Sequence, residues 1–78
     1  MLTEADVRTA LEKTIKSEKP KGWPVAYDFR KAGELDSLDH ATFLLSLAES
    51  HGLTVPDPDV EKLTSIASVL EYAAARGI

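Results

Sequence analysis

Asp36-Ser37-Leu38-Asp39-His40-Ala41-Thr42-Phe43-Leu44-Leu45-Ser46-Leu47-Ala48 decides how this chain is read, because it sets a helix-capping pair directly before a dense apolar run. Leu38, Ala41, Leu44, Leu45, Leu47 and Ala48 recur at helical spacing, forming a wide stripe that continues to His51, and Gly52 supplies a stop. Asp36 or Ser37 is the expected cap. The first N–H groups of a helix lack intrahelical partners and carry partial positive charge, so an anionic group attached to Ser37 would sit in a favourable field. That field is worth only about 0.3–1 kcal/mol at an exposed site, and Asp36 and Asp39 oppose it. It orients a phosphate without defining a function.

Outward from this helix, the same reasoning places three more. Thr3 with Asp6 three residues later approximates a capping box, and Val7, Ala10, Leu11, Thr14 and Ile15 follow at helical spacing, which predicts a helix over 3–17. Pro20, Gly22 and Pro24 end it. The connection up to residue 35 contains Trp23, Val25, Tyr27 and Phe29 without a period of either kind, and its aromatic residues are the expected pins. Beyond Gly52, Pro56-Asp57-Pro58-Asp59 reads as a turn into a short helix with Asp57 as cap, Pro58 in the first helical position, and Val60 and Leu63 facing inward. Thr64 then starts a last helix through Ile66, Val69, Leu70 and Ala73, closed by Arg76-Gly77. No segment alternates with period two. The expected fold is all-α, a small four-helix bundle of three main helices plus a short third helix, with residues 1–78 as one domain.

Size and composition narrow the function. Seventy-eight residues leave little interior after the chain's own side chains are packed, so a large enclosed active site is not expected. An apolar fraction of 44% with 28% charged residues is an ordinary globular balance and argues against disorder. The absence of cysteine removes disulfides, thiolate metal sites and a side-chain thiol nucleophile, so any thiol chemistry must be imported. The acidic start Met1-Leu2-Thr3-Glu4-Ala5-Asp6 lacks the bases and apolar run of a signal peptide, and no stretch reaches membrane-spanning length, so a cytoplasmic location without membrane insertion is expected. Residues 1–35 hold seven bases against six acids, whereas residues 36–78 hold two bases against seven acids. Nucleic acid is therefore a poor partner for the second half, and a protein surface bearing Lys or Arg a good one.

His40 lies one turn after Ser37, which raises a serine–histidine nucleophile. A hydrolase would also need an orienting acid, an oxyanion site and a cleft, and this chain is too small to assemble all three. His40 and His51 stand eleven residues apart rather than the four that would pair them on one face, and no ligand cluster accompanies them, so no metal site is expected. His51 is expected to be a partly buried packing residue.

From Gly33-Glu34-Leu35-Asp36-Ser37-Leu38 through Glu71-Tyr72-Ala73-Ala74, the order of features resembles the second half of acyl carrier proteins. The matching residues are Asp36-Ser37-Leu38 at the start of helix two, Val55-Pro56-Asp57 in the following loop, Glu61-Lys62-Leu63-Thr64 after the short helix, and a late Tyr72. The resemblance covers residues 35–75; the first half shares only one helix, a long loop and Phe29 eight residues before the serine. It implies a carrier rather than an enzyme. Ser37 would accept a covalent 4′-phosphopantetheine arm from coenzyme A through a phosphopantetheinyl transferase, and the arm's thiol would hold acyl groups as thioesters for fatty-acid, polyketide or specialised lipid synthesis. Asp36 would help position the transferase. Leu38, Asp39 and Glu49 would meet acyl-transferring, ligating or synthase enzymes with basic docking surfaces, and the carrier would act as a monomer. Leu45, Leu47, Val55, Val60, Leu63 and Ile66 would form a core that also shelters the acyl chain.

Alternatives are a peptidyl carrier protein of nonribosomal synthesis and an unmodified helical adaptor. Departures from the family pattern are Ala32-Gly33-Glu34-Leu35 before the serine, Thr42 and Ala48 where many members carry acids, the basic pair Arg30-Lys31, and the segment Lys19-Pro20-Lys21-Gly22-Trp23-Pro24. They suggest a specialised carrier with a dedicated partner.

Overall fold

Thr3 opens the first helix as the pattern predicts. Its hydroxyl accepts from the Asp6 N–H at 3.2 Å while the Asp6 carboxylate accepts from the Thr3 N–H at 3.0 Å, so two orphan donors are satisfied together. In the computed structural model, which describes residues 1–78, this helix α1 spans Glu4–Ile15 and ends at Lys16 in a left-handed conformation. The helix stops two residues short of the expected end. A short 3-10 turn follows at Lys19–Gly22, then an irregular connection, α2 at Ser37–His51, α3 at Asp57–Val60 and α4 at Ile66–Ala75. There is no strand, and the fold is the all-helical one expected, with α1 packed on both α2 and α4. No helix is long and apolar enough to cross a membrane.

Local chemistry shifts two helix starts from their expected positions. Pro56 caps α3, with Asp57 and Pro58 in its first two positions and no side-chain cap bond, because Pro56 already holds the extended backbone that Asp57 was expected to supply. Ser65 caps α4, exchanging bonds with Ser68 in a second capping box, while the Thr64 hydroxyl is spent on Asp28. Gly52 ends α2 at φ 72°, where a Cβ would be strained, and its N–H returns to the Ala48 carbonyl at 3.0 Å.

Phe29 is the hub of the core. Fully buried, it stacks on Trp23 with centroids 5.9 Å apart and receives the edges of Phe43 at 5.8 Å and His40 at 6.2 Å. Trp23 and Phe29 thus pin the long connection as expected, Tyr27 joins from a half-buried position, and Val25 is left 40% exposed. Two polar devices complete the pinning. The Arg8 guanidinium, reaching from α1, donates to the carbonyls of Pro20 and Trp23 and so fastens the 3-10 turn. The Val25 carbonyl accepts from the Ala67 N–H at 2.8 Å, and the Phe29 N–H donates to the Thr64 carbonyl at 3.0 Å, so the connection lies along the start of α4.

The wide apolar stripe of α2 divides. His40, Phe43, Leu44 and Leu47 are buried, Ala48 is half-buried, and Leu38, Ala41 and Leu45 face outward. The reason is geometric. A helix that packs on α1 and the aromatic connection covers little more than one face, and the short α3 is too small to cover the rest.

Candidate functional site

Approach to Ser37 is built by residues 28–35. The Asp28 carboxylate accepts from the N–H groups of Arg30 at 3.1 Å and Lys31 at 2.8 Å with one oxygen, and from the Thr64 hydroxyl at 3.1 Å with the other. Gly33 turns the chain at φ 77°. The N–H groups of Glu34 and Leu35 then return to the Phe29 carbonyl at 2.9 and 3.3 Å. Buried Leu35 holds the last step before the helix, and the Arg30 guanidinium grips its carbonyl at 3.0 Å. Glu34 is held by the Tyr27 hydroxyl at 2.9 Å. The path through Ala32-Gly33-Glu34-Leu35 is therefore a closed turn, braced by the basic Arg30 that the sequence marks as unusual.

Asp36, not Ser37, is the cap. Its side chain accepts from the Asp39 N–H at 2.8 Å and its carbonyl takes the first helical bond, from His40, at 2.9 Å. That division leaves Ser37 in the first helical position, exposed, with its hydroxyl unengaged by any protein group. The N–H groups of Ser37 and Leu38 have no acceptor in the protein and lie at the positive end of a fifteen-residue helix. A hydroxyl of this kind, beside two open donors, fits a phosphodiester linkage to an external group.

Several acids on α2 and around α3 are free of ion pairs. None of the six ion pairs in the molecule involves Asp36, Asp39, Glu49, Asp57 or Glu61. Glu49 lies on the same side of α2 as Leu38 and Leu45, which are 73% and 59% exposed, because eleven and four residues return a helix to nearly the same direction. Leu38 and Leu45 are the large apolar side chains most open to solvent after Met1.

The six expected acyl-core residues are not brought together as one core. Leu47, Leu63 and Ile66 are buried, Val55 and Val60 are half-buried, and Leu45 is on the surface, contrary to expectation, since α3 does not reach over it. What the structure offers is a groove of about 430 Å³ between α2 and α3, walled by Leu44, Leu45, Ala48, Val55 and Val60, with Asp57 and Glu61 at its rim.

His40 points away from Ser37 into the core, where its Nε2 lies 2.8 Å from the Leu63 carbonyl. This removes it from any role as a base for Ser37 and makes it a tie between α2 and the entry to α4. His51 is exposed rather than packed. No group of three or more His, Asp or Glu side chains is arranged to hold a metal. Phe43 and the Arg8 and Arg30 clamps escaped the sequence reading. The Phe43 position was visible as one more apolar residue in the α2 run, but an arginine that caps carbonyls 12 and 15 residues away leaves no local signal.

Two comparisons bear on this geometry. A 44-residue stretch, 56% of this chain, is 36% identical to an acyl carrier protein of Rubrobacter xylanophilus and covers 54% of that protein. A stretch of the same length is 41% identical to a mitochondrial acyl carrier protein of Dictyostelium discoideum and covers 36% of it. This chain is similar to acyl carrier proteins. It spans about half or less of the length of these relatives, and its all-helical architecture agrees with the small helical fold of acyl carrier proteins. No family model matches the chain, and no solved structure gives a match.

The bonds to Asp28 have a pH consequence. The backbone N–H of Lys31 and, after it, the Thr64 hydroxyl and the Arg30 N–H hold the Asp28 carboxyl below the ordinary carboxylate range, against the opposing effect of burial. A carboxyl lowered in the folded state contributes stability above its unfolded value of about 3.9 and loses it as pH falls through the lower folded value. Urea midpoints measured across that acid range are expected to fall less steeply for Asp28→Ala than for the native chain. Parallel curves would mean that Asp28 does not brace the approach to Ser37.

Proposed function

We propose that this chain is a carrier whose Ser37 receives a 4′-phosphopantetheine arm from coenzyme A and presents acyl groups as thioesters to partner enzymes. The observation that carries the reading is the exposed, unengaged hydroxyl of Ser37 in the first turn of α2, preceded by an Asp36 whose side chain is already committed to the cap. Similarity of about half the chain to acyl carrier proteins supports it.

In this reading the protein's part in loading is presentation. Asp36 frees the serine by taking over capping, and the bonds of Arg30 and Asp28 fix the backbone on which the serine stands. The open N–H groups of Ser37 and Leu38 favour the negative charge that the linkage brings. His40 is buried on Leu63 and cannot take the serine proton, so the general base comes from the phosphopantetheinyl transferase, and the serine oxygen forms its new P–O bond as the P–O–P link of coenzyme A breaks and adenosine 3′,5′-bisphosphate leaves. Once attached, the arm supplies a terminal thiol, the group this cysteine-free chain lacks. The chain is a substrate of acyl-transfer and synthase enzymes, not itself a catalyst.

Coexpression with a broad-specificity phosphopantetheinyl transferase, followed by intact-mass measurement and peptide mapping, tests the proposal. The expected result is a gain of one phosphopantetheine on the peptide containing Ser37. An unchanged mass would leave the exposed Leu38 and Leu45 as the docking face of an unmodified adaptor.

Partner recognition follows from the unpaired acids. Reversing Asp39 and Glu49 to Lys is expected to lower kcat/KM for loading by about tenfold or more at low salt, with a smaller difference at high salt, because steering by charge is screened. The far-ultraviolet spectrum is expected to stay native, as neither side chain is bonded within the protein. Equal rates at low salt would refute an acidic docking surface.

A further inference from the structure

We propose that Tyr72, Asp59 and Arg76 form a latch that holds α3 beside the α2–α3 groove, and that the strength of this latch sets how readily the groove admits an unbranched aliphatic chain. The identity of the cargo as an acyl chain rests on the carrier reading; the latch is a property of the bare protein.

Few other contacts hold α3: of its own side chains only Val60 packs on the core. The helix is four residues long and has no buried side chain. Its backbone bonds are local, Asp59 N–H to the Pro56 carbonyl and Lys62 N–H to the Asp59 carbonyl. It takes no part in the backbone packing that joins α1 to α2 and α4. Half-buried Val60 is its apolar contribution, and with half-buried Val55 of the preceding loop it lines the groove.

Against this light attachment stands one concentrated polar link. The Tyr72 hydroxyl, 13 residues further on in α4, donates to Asp59 Oδ2 at 2.7 Å. Arg76 Nη2 lies 3.7 Å from the same oxygen, and the Arg76 guanidinium carbon sits 3.5 Å from the centroid of the Tyr72 ring. The ammonium of Lys62 approaches the other oxygen at 3.3 Å but belongs to the same segment, so it adds no tie to the bundle. By contrast α4 is seated firmly through buried Ile66, Val69 and Ala73. A fixed post is thus bonded to a loose plate, and the residue next to the bond, Val60, is a wall of the groove.

Release of the plate would move Val60 away from the α2 wall of the groove. A ligand that binds only the opened form has its affinity reduced by the fraction of molecules open, so weakening the latch raises apparent affinity by the same factor that it raises opening.

The test uses the full chain without its arm. Tyr72→Phe keeps the ring and its contact with Arg76 and deletes one hydroxyl; Asp59→Asn keeps the shape and deletes the charge. Amide hydrogen exchange is read at Asp59, Lys62 and Leu63, and n-decanol is titrated while the amide shifts of Leu44, Leu45, Ala48, Val55 and Val60 are followed. In Tyr72→Phe, exchange at those three amides is expected to quicken by roughly three- to tenfold, the factor that one net hydrogen bond represents. Exchange in α1 stays native, and decanol binds tighter by a similar factor. Asp59→Asn, which weakens the pairing with Arg76, is expected to repeat the pattern. Unchanged decanol affinity in both variants, or faster exchange spread evenly over all helices, would overturn the latch. Failure of Ser37 to accept an arm would instead sink the carrier reading, which the decanol titration does not depend on.

Discussion

Ser37→Ala is expected to abolish arm attachment completely while leaving the fold and its stability within about 0.5 kcal/mol of native. The two halves of this expectation come from one geometric fact. Asp36 supplies the cap, so the serine hydroxyl bonds nothing in the protein, and alanine in the first turn carries the best helix propensity. Asp36→Ala is the complementary change: it removes the acceptor for the Asp39 N–H and is expected to cost about 1 kcal/mol. Intact mass after transferase treatment, together with urea melts of both variants, checks the pair. Residual loading of Ser37→Ala, or a stability loss larger than that of Asp36→Ala, would reverse the roles given to these two residues.

Phe29→Ala is expected to be the most damaging single substitution for stability, at about 3–5 kcal/mol. The ring is fully buried and joins the connection to α2 through Trp23, His40 and Phe43, so no neighbour can collapse into its place without leaving another. A chain of this length commands only about 4–12 kcal/mol in total. The variant is therefore expected to be largely unfolded at 37 °C or to melt far below the native chain in calorimetry. A loss below about 1.5 kcal/mol, the level of an ordinary conservative core change, would show that the connection is held by its polar bonds rather than by the aromatic hub.

Elements whose signals are local were legible from sequence. The Thr3–Asp6 box, the Asp36-to-Gly52 helix and the four-helix order are set by caps, spacing and terminators within a few residues of one another. The start of α4 moved by one residue because Thr64 and Ser65 are chemically alike as caps, and the choice between them is made by Asp28, 36 residues away. Partition of the α2 stripe could not be read in advance for a similar reason. Leu44 and Leu45 are the same residue type side by side, and only the positions of α1 and the short α3 decide that one is 6% and the other 59% exposed. The Ser37 constellation was visible as types and order, but the assignment of the cap to Asp36, the burial of His40 and the bracing by Arg30 depend on how distant segments meet.

Bonds from residues 25–29 to residues 64–67 also have a kinetic side. The segment that caps and aligns the beginning of α4 is synthesised before α2 and waits for a partner that emerges after it. Those contacts close a loop that encloses the whole of α2, so they carry a large entropic cost of closure and are expected to form late, after α1 and α2 have met. A fragment ending after His51 would then hold its first two helices without an ordered run-in to Ser37, and the serine would become a competent acceptor only when the last helix has docked.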